Sequence, residues 1–351
     1  MTAAASSPDI RFARRGAAGL ITLNRPQALN AVTHDMVCAL RAQLETWAAD
    51  DAITRVIVTA AGGKAFSAGG DIRALTDLGK AGEHEEAIDF WRDEYPLNAY
   101  IKAYRKPYVA LIDGIVMGGG VGISVHGSHR VAGDRYSFAM PEVGIGFFPD
   151  VGATWFLPRM PGELGSFCAL TGERFNAADG IAAGVATHRV ASPRFPELID
   201  ALTGSVPVDA ILSAFSQSAE RGRLVEHRAE IDRLFAGNRV EDIVAKLDAG
   251  GEWAQKFAAI IRAKSPLSLK IAIAQVRRGA DWDFATCMQT EFRIVSRIIR
   301  GHDFYEGVRA VIVDKDNKPR WQHASLADVS DSEVERHFAA LPGNDRLELP
   351  R

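Results

Sequence analysis

The sequence predicts an α/β fold over its first two hundred residues and a mainly helical region after them. Up to about residue 190, short β-branched runs alternate with glycine-rich turns and helical apolar spacing, which is typical of βαβ units. Beyond that point the strand signal fades, while apolar residues continue to recur at helical spacing. We therefore expect a core over 1–200 and a helical C-terminal region over 201–351.

The individual elements follow from the same patterns. A strand is predicted over 19–23, and the helix after it takes Thr33 as its N-terminal cap. The apolar residues of this helix fall on one face: Val37, Leu40, Leu44 and Trp47. Further strands are predicted over 55–59 and Tyr108–Ile112, each ahead of a glycine-rich turn. The later helices are predicted over 121–126, 207–220, 240–249, 252–264, 267–278 and 284–300.

The composition excludes several classes of protein. The 351 residues are 47% apolar, which is enough to bury a large core. Lys and Arg number 41 against 44 for Asp and Glu, a net charge of −3, so we expect no nucleic-acid and no membrane partner. Cys38, Cys168 and Cys287 lie far apart without a CxxC spacing, which argues against a disulfide framework and a metal site.

The N-terminal residues favour a cytoplasmic location. Residues 1–16 contain no apolar signal core, and no apolar run in the chain is long enough to span a membrane. Ser, Ala and Arg are frequent near the start, as in transit peptides, but Asp9 and the short length count against that interpretation.

Two glycine-rich turns form the most informative pattern. Glycines 118–120 follow the strand Tyr108–Ile112 and precede a predicted helix, so bare backbone there can approach a ligand closely. The first N–H groups of a helix lack intrahelical partners and suit an oxygen that gains negative charge. A second turn, KAFSAGGD at 64–71, follows the preceding strand. Backbone N–H groups from two such turns can donate hydrogen bonds to one carbonyl oxygen. A single glycine triplet, however, more often forms a tight turn without a catalytic role.

Two carboxylates, Glu142 and Asp150, follow in an otherwise apolar segment. We expect burial to raise the pKa of Glu142, and a charged Asp150 close by to raise it further. The apolar neighbours are Val143, Ile145, Phe147 and Phe148. Each acid also has a structural interpretation. Glu142 could pair with Arg130 or Arg135, and Asp150 could cap a helix around 153–156.

Other motifs fail on inspection. The segment 62–65 lacks the spacing of a phosphate-binding loop, and the turn at 118–120 lacks the third glycine of a dinucleotide-binding motif. The segment 122–126 does not match the G-x-S-x-G elbow of serine esterases. Nucleotide hydrolysis, NAD binding and serine-esterase chemistry are therefore unsupported.

The motif FSAGGDI at 66–72 and the turn at 118–120 resemble the two signatures of the crotonase, or enoyl-CoA hydratase/isomerase, superfamily. The resemblance implies that the α/β core is a spiral of ββα units and that the ligand is an acyl-CoA thioester. It also implies that the backbone N–H groups of Gly70 and Gly119 form an oxyanion hole for the thioester carbonyl. No separate cofactor is expected, because coenzyme A is part of the substrate.

The acids favour one branch of that superfamily. Its hydratases use two glutamates, and the first falls on Gly122 here, whereas the second is present as Glu142. Asp150 stands where hydratases carry glycine, a pattern that resembles the 3-hydroxyisobutyryl-CoA hydrolases. Further matching segments lie at 92–98, 138–152, 168–172, 265–271 and 300–321. The resemblance implies hydrolysis of a short branched hydroxyacyl-CoA in valine degradation, with Glu142 and Asp150 as catalytic residues.

Other residues are assigned by the same resemblance. Glu94 would contact the 3-hydroxyl group of the acyl chain, although an acid in a charged helix is usually a solvated surface group. Asp150 would hold that hydroxyl or the attacking water. The substrate-binding set is then Glu94, Gly119, Glu142 and Asp150. The CoA-binding region would lie at Lys64, Ala65, Phe66 and Ala68.

Two other functions stay open. A single glutamate at position 142 is also the isomerase arrangement, so an enoyl-CoA isomerase or hydratase is the alternative, which Asp150 and the segment 300–321 oppose. The other open function is that of a CoA-binding protein without catalytic activity, which the presence of both Glu142 and Asp150 opposes. Family relatives often assemble as trimers, yet the long C-terminal region here could cover that surface, so the sequence leaves homo-oligomer formation undecided.

Overall fold

The computed structural model describes residues 7–218, 222–342 and 346–350. The first six residues and the predicted end of the 207–220 helix lie outside this described part. The strands are β1 (Ile10–Arg15), β2 (Ala18–Leu23), β3 (Arg55–Ala60), β4 (Ala65–Ser67), β5 (Tyr108–Ile112), β6 (Ile115–Val116), β7 (His129–Ala132), β8 (Ser137–Phe138) and β9 (His188–Arg189).

The first helices belong to the part of the chain that carries these strands. They are α1 (His34–Ala49), α2 (Ile72–Lys80), α3 (His84–Lys102), α4 (Gly119–Val125), α5 (Ala153–Phe156), α6 (Leu164–Thr171) and α7 (Ala177–Ala182). The later helices are α8 (Phe195–Leu202), α9 (Val208–Phe215), α10 (Arg223–Glu226), α11 (Arg228–Leu234), α12 (Val240–Asp248), α13 (Glu252–Arg262), α14 (Pro266–Gly279), α15 (Phe284–Ile298), α16 (His302–Val308) and α17 (Asp331–Phe338).

The strands form two sheets that are wound by repeated ββα units. β1 and β2 pair antiparallel, and the larger sheet continues with parallel pairing in the order β1-β2-β3-β5-β7-β9. The smaller sheet has the order β4-β6-β8 and is also parallel. β1 and β2 both belong to the larger sheet, whereas each later pair (β3 and β4, β5 and β6, β7 and β8) places its first strand in the larger sheet and its second in the smaller one before a helix follows. This arrangement confirms the spiral that the motifs imply.

Both faces of the larger sheet are covered. In β3, Val56 and Val58 belong to the main apolar core, whereas Ile57 packs on the opposite face with residues of α8 and α9. β5 repeats this alternation and is buried along its whole length. Burial on both sides explains why these strands read as continuous apolar runs rather than as alternating ones.

Most of the predicted elements are confirmed to within a few residues. β5 has the predicted bounds, and Thr33 Oγ1 accepts a hydrogen bond from Met36 N at the start of α1 (3.3 Å). The helix predicted over 207–220 ends earlier, at Phe215. Within the described residues β9 is the last strand, so the chain becomes helical where the strand signal fades. The division into domains near residue 200 stays a prediction.

No helix in the described part of the chain combines the length and the apolar character needed to cross a membrane.

The C-terminal helices close over the spiral at the turn that follows Asp150. From α15, the buried Glu291 side chain accepts hydrogen bonds from the backbone N–H groups of Gly152 (2.7 Å) and Thr154 (2.8 Å). Between them and Asp150 lies Val151 with a φ of +53°, which is uncommon for a β-branched residue. Glu291 therefore holds a strained turn in place, and we call this pair of hydrogen bonds the Glu291 clamp.

We expect Glu291→Ala to lower the free energy of unfolding by about 2–4 kcal/mol, because two buried N–H groups lose their acceptor. Urea unfolding at pH 7 measures the change. Glu45→Ala is the matched control, since Glu45 is exposed and pairs with Arg41 on the same helix. That control should change the free energy by about 0.5 kcal/mol or less. Equal effects of the two substitutions would contradict the clamp.

Candidate active site

One cavity of about 830 Å³ gathers most of the residues that the sequence singles out. It lies between the two glycine turns, α3 and the short 3-10 helix Glu142–Ile145. The candidate residues that line it are Ala68, Gly70, Glu94, Gly119, Glu142 and Asp150. Its volume falls in the range of small-molecule and cofactor sites, about 300–1,000 Å³.

The two glycine turns face each other across this cavity. A Cβ atom built on Gly119 would lie 3.3 Å from the backbone nitrogen of Gly70. The preceding residues, Gly69 and Gly118, have φ angles of +117° and +45°, a region that residues with side chains disfavour. Neither the N–H of Gly70 nor that of Gly119 meets a hydrogen-bond acceptor among the described residues. Two neighbouring free donors are what an oxyanion hole requires.

Glu142 lies on the other side of this pair of donors. Glu142 is 6% exposed, and its Oε2 atom has no hydrogen-bond partner among the described residues. A Cβ atom built on Gly118 would lie 3.6 Å from Glu142 Oε1. Burial raises the pKa of Glu142 well above its usual value, and the charge of Asp150 raises it further. The backbone N–H groups of Glu142 and Gly118 oppose the rise. The expected direction of the shift is confirmed.

The ion pairs proposed for Glu142 from sequence do not form. Arg135 instead bonds both oxygens of its partner Asp113 through its backbone N–H and its guanidinium. The guanidinium of Arg130 donates to the carbonyl oxygens of Gly127 (2.8 Å) and Gly184 (3.2 Å). Glu142 is therefore a buried acid that forms no ion pair with any described residue, which is a common property of catalytic carboxyl groups.

Asp150 is buried within reach of α3. The hydroxyl of Tyr95 donates to Asp150 Oδ2 (3.0 Å), and the Trp91 side chain also bonds the carboxyl group. Burial raises the pKa of Asp150 to about 7, and these hydrogen bonds limit the rise. The helix-capping interpretation is wrong, because α5 takes Gly152 as its N-terminal cap and receives no side-chain cap bond.

Glu94 projects from α3 into the same cavity. Only 1% of it is exposed, so the interpretation as a solvated surface group is wrong. A Cβ on Gly119 would lie 2.5 Å from Glu94 Oε1, an atom with no hydrogen-bond partner in the described part of the chain. Burial raises the pKa of Glu94 well above its usual value, and Asp150 and Glu291 add to the shift. The neutral acid is therefore favoured, and a neutral carboxyl group can donate a hydrogen bond.

The predicted CoA-binding region divides into two parts. Ala68 lines the cavity, whereas Ala65 and Phe66 are buried in β4 and Lys64 is exposed beside that strand. The cavity's own cationic side chains are Arg25, Arg73 and Lys264, none of which the sequence patterns singled out. Burial lowers the pKa of Lys264.

Several residues that line or support the cavity were not assigned to the site from sequence. Trp91, Tyr95 and Asn98 lie on the same face of α3 as Glu94, because residues three, four and seven positions apart on a helix are neighbours. Placing the segment 92–98 on a helical wheel would have found them. Glu291 carries no local signal, since its partner Gly152 is 139 residues away in the chain.

A group of potential metal ligands lies outside the cavity. The ligand atoms of His34, Cys38 and Asp93 all fall within 4.8 Å of one another, on α1 and α3. In the structure His34 Nε2 and Asp93 Oδ2 form a hydrogen bond of 2.6 Å, and both side chains are largely exposed. The arrangement is that of a surface hydrogen bond beside a cysteine, and none of the three residues lines the cavity.

Comparisons with known proteins agree with the geometry. The family model described as enoyl-CoA hydratase/isomerase matches residues 18–338. The chain is 44% identical to the mitochondrial 3-hydroxyisobutyryl-CoA hydrolase of Gallus gallus, covering 97% of this chain and 91% of that protein. It is 45% identical to the protein of the same name from Danio rerio, covering 98% and 93% of the two chains.

Solved structures give the same result at the level of the fold. A carnitinyl-CoA dehydratase from Mycobacterium thermoresistibile matches with a TM-score of 0.93 and 42% identity over 97% of this chain and 99% of that one. An enoyl-CoA hydratase from Rhodobacter sphaeroides matches with a TM-score of 0.91 and 40% identity over 97% of this chain and 100% of that one. With a family model that spans nearly the whole sequence, two facing glycine turns and a ββα spiral, this chain belongs to the enoyl-CoA hydratase/isomerase family.

Proposed function

We propose that the protein hydrolyses 3-hydroxyisobutyryl-CoA to 3-hydroxyisobutyrate and coenzyme A, a step of valine degradation. The observation that carries the proposal is one cavity in which the N–H groups of Gly70 and Gly119, which have no acceptor among the described residues, lie beside the buried acids Glu142 and Asp150. The vertebrate relatives that are 42–45% identical to this chain are named for this reaction.

The chemistry follows from what a thioester needs. Its carbonyl oxygen gains negative charge when the carbon is attacked, and the Gly70 and Gly119 N–H groups stabilise that charge. Glu142 either takes a proton from water or attacks the carbon itself, and both routes require its ionised form. Coenzyme A leaves as a thiolate, for which proton donation is less critical than for an amine, because a simple thiol has a pKa of about 8.5.

Glu94 and Asp150 supply groups suited to a hydroxyacyl chain. Because burial and neighbouring acids favour the neutral form of Glu94, its carboxyl group can donate a hydrogen bond to the 3-hydroxyl oxygen. Asp150 titrates near neutral pH and is held by Tyr95 and Trp91, so it can orient that hydroxyl or the attacking water. A substrate without the hydroxyl group leaves both acids without that partner.

Packing at Gly122 opposes the alternative of a hydratase. Family hydratases carry a glutamate at this position, but here a Cβ would lie 2.8 Å from Asn98 Nδ2 and 2.9 Å from Val151 Cβ. The space that a second catalytic glutamate needs is therefore filled. An isomerase needs only Glu142, and the presence of Asp150 in the same cavity opposes that alternative.

We also propose a cytoplasmic location, because Cys38, Cys168 and Cys287 are free thiols, as is usual for proteins of a reducing compartment. The vertebrate relatives are named as mitochondrial proteins. Fractionation of the source cells tests the proposal, and recovery with a membrane-enclosed compartment would overturn it.

The first prediction concerns thiol release. Purified protein should release free thiol from 3-hydroxyisobutyryl-CoA, and Glu142→Gln should lower kcat by about 10²- to 10⁴-fold because the amide is neither a base nor a nucleophile. Asp150→Asn should also lower kcat. The control is Glu45→Gln at an exposed position, which should leave kcat unchanged. Hydration or double-bond migration of enoyl-CoA substrates without thiol release would establish the alternative instead.

The second prediction concerns pH. Since the pKa of Asp150 is about 7 and that of Glu142 is raised, kcat/KM should fall as the pH drops below about 7 and both acids take up protons. Asp150→Asn removes a charge that raises the pKa of Glu142, so the residual activity should persist to lower pH than in the wild type. Measuring kcat/KM against pH for the wild type and for Asp150→Asn detects this shift of the activity to lower pH. If kcat/KM of Asp150→Asn falls at the same pH as that of the wild type, Asp150 does not raise the pKa of Glu142.

The third prediction concerns Gly122. Gly122→Glu should not confer hydration of crotonyl-CoA, and it should lower the unfolding midpoint, because the new side chain overlaps Val151 and Asn98. Gly251→Glu is the control, since a Cβ there meets nothing within 4 Å and should be tolerated. Appearance of hydratase activity in Gly122→Glu would refute the packing argument.

A further inference from the structure

A second cavity lies behind the wall that carries Asp150. Its volume is about 260 Å³, and it is bounded by the C-terminal ends of α3 and α4, by α5 and by the segment after α7. The residues that line it are Lys102, Val125, His126, Arg130, Trp155, Phe156, Arg159, Ala183, Gly184 and Val185. It shares no lining residue with the larger cavity.

The charges in this second cavity are all positive. Lys102, Arg130 and Arg159 line it, and none of its lining residues in the described part of the chain is an acid. Lys102 Nζ lies 3.5 Å from the ring centroid of Trp155, and the guanidinium carbon of Arg159 lies 4.7 Å from the same centroid. Burial lowers the pKa of Lys102, and the charges of Arg130 and Arg159 lower it further. The three cations therefore repel one another in partly desolvated surroundings.

Two of the three cations also have unused hydrogen-bond donors. Arg130 Nε is buried and has no acceptor among the described residues, although its two terminal nitrogens bond carbonyl oxygens. Within the same described part of the chain, Lys102 Nζ forms no hydrogen bond and no ion pair, and contacts only aromatic rings. Arg159 is occupied, because it donates to carbonyl oxygens at the end of α14 and adds only its charge.

A cation–π contact compensates only part of the desolvation of a buried charge, about 0.5–2 kcal/mol. Paired donors from Arg and Lys around a small space are the usual recognition pattern for phosphate oxygens. The volume, about 260 Å³, lies below the usual range of small-molecule and cofactor sites, about 300–1,000 Å³, which favours an inorganic anion over a nucleotide. We propose that this cavity, which we call the Lys102 pocket, is a binding site for a small phosphate-type anion such as orthophosphate or pyrophosphate.

The Lys102 pocket is connected to the turn that carries Asp150. His126 lines the pocket, and its Nε2 atom bonds the backbone carbonyl oxygen of Val151 (2.7 Å). Trp155, which stacks under Lys102, belongs to the helix that follows this turn. An anion in the pocket thus lies on the outer side of the same turn that the Glu291 clamp holds from α15.

The test is calorimetric titration of the full-length protein with orthophosphate and with pyrophosphate at constant ionic strength, set with chloride. We expect saturable binding with a dissociation constant of about 1 mM or tighter. Lys102→Met should weaken it about tenfold or more, because a charged donor is lost. Lys102→Arg should restore most of the affinity. Lys102 is suited to substitution, since its ammonium makes no hydrogen bond that the fold needs among the described residues.

Two controls separate this pocket from other basic surfaces. Lys256→Met removes an exposed lysine that also lies over an aromatic ring, Phe257, at 5.6 Å, and should leave anion binding unchanged. Lys264→Met removes a cation of the larger cavity and should also leave it unchanged. Circular dichroism confirms that each variant is folded. The proposal is overturned if the wild type shows no saturable binding up to about 10 mM, or if Lys264→Met abolishes binding while Lys102→Met retains it.

Discussion

The arrangement of the site depends on the Glu291 clamp. The carboxyl group of Glu291 on α15 accepts hydrogen bonds from the N–H groups of Gly152 and Thr154 at the start of α5, so the helical C-terminal region fixes a turn of the spiral. That turn contains Val151 in a left-handed conformation, which is costly for a β-branched residue and persists only where the surroundings determine it. Asp150 precedes Val151 directly, so its side chain points at Tyr95 and Trp91 only while the turn is held.

The same region collects an unusual concentration of buried acids. Asp150 and Glu291 raise the pKa of Glu94, and Asp150 also raises the pKa values of Glu291 and Glu142. Like charges in a low-dielectric interior cannot all be ionised at once, so near neutral pH some of these groups stay protonated. A mixed set of this kind offers the two things that thioester hydrolysis of a hydroxyacyl chain requires. An ionised carboxylate can act as base or nucleophile, and a neutral carboxyl group can donate a hydrogen bond.

The sequence predicts the local features of this molecule well and the long-range ones poorly. β5, the Thr33 cap and the two glycine turns follow from residues close together in the chain, and each is found where expected. The burial of Glu94 was harder to foresee, because its helix carries many charges on its outer face and its inner face becomes evident only from i, i+3 and i+4 spacing. Glu291 could not be predicted, since its hydrogen bonds cross 137 and 139 residues of chain.

Gly122 and the turn that carries Asp150 are in direct packing contact. The side-chain space beside position 122 is filled by Val151 and by Asn98, whose two polar side-chain atoms are buried without partners among the described residues. Val151 is rigid and its position is set by the clamped turn, so it cannot move aside as the end of a flexible side chain could. A side chain at position 122 of this chain would therefore require the turn at Val151 to change. The glycine at position 122 and the turn that presents Asp150 are thus linked through Val151, which fills the space beside the one and belongs to the other.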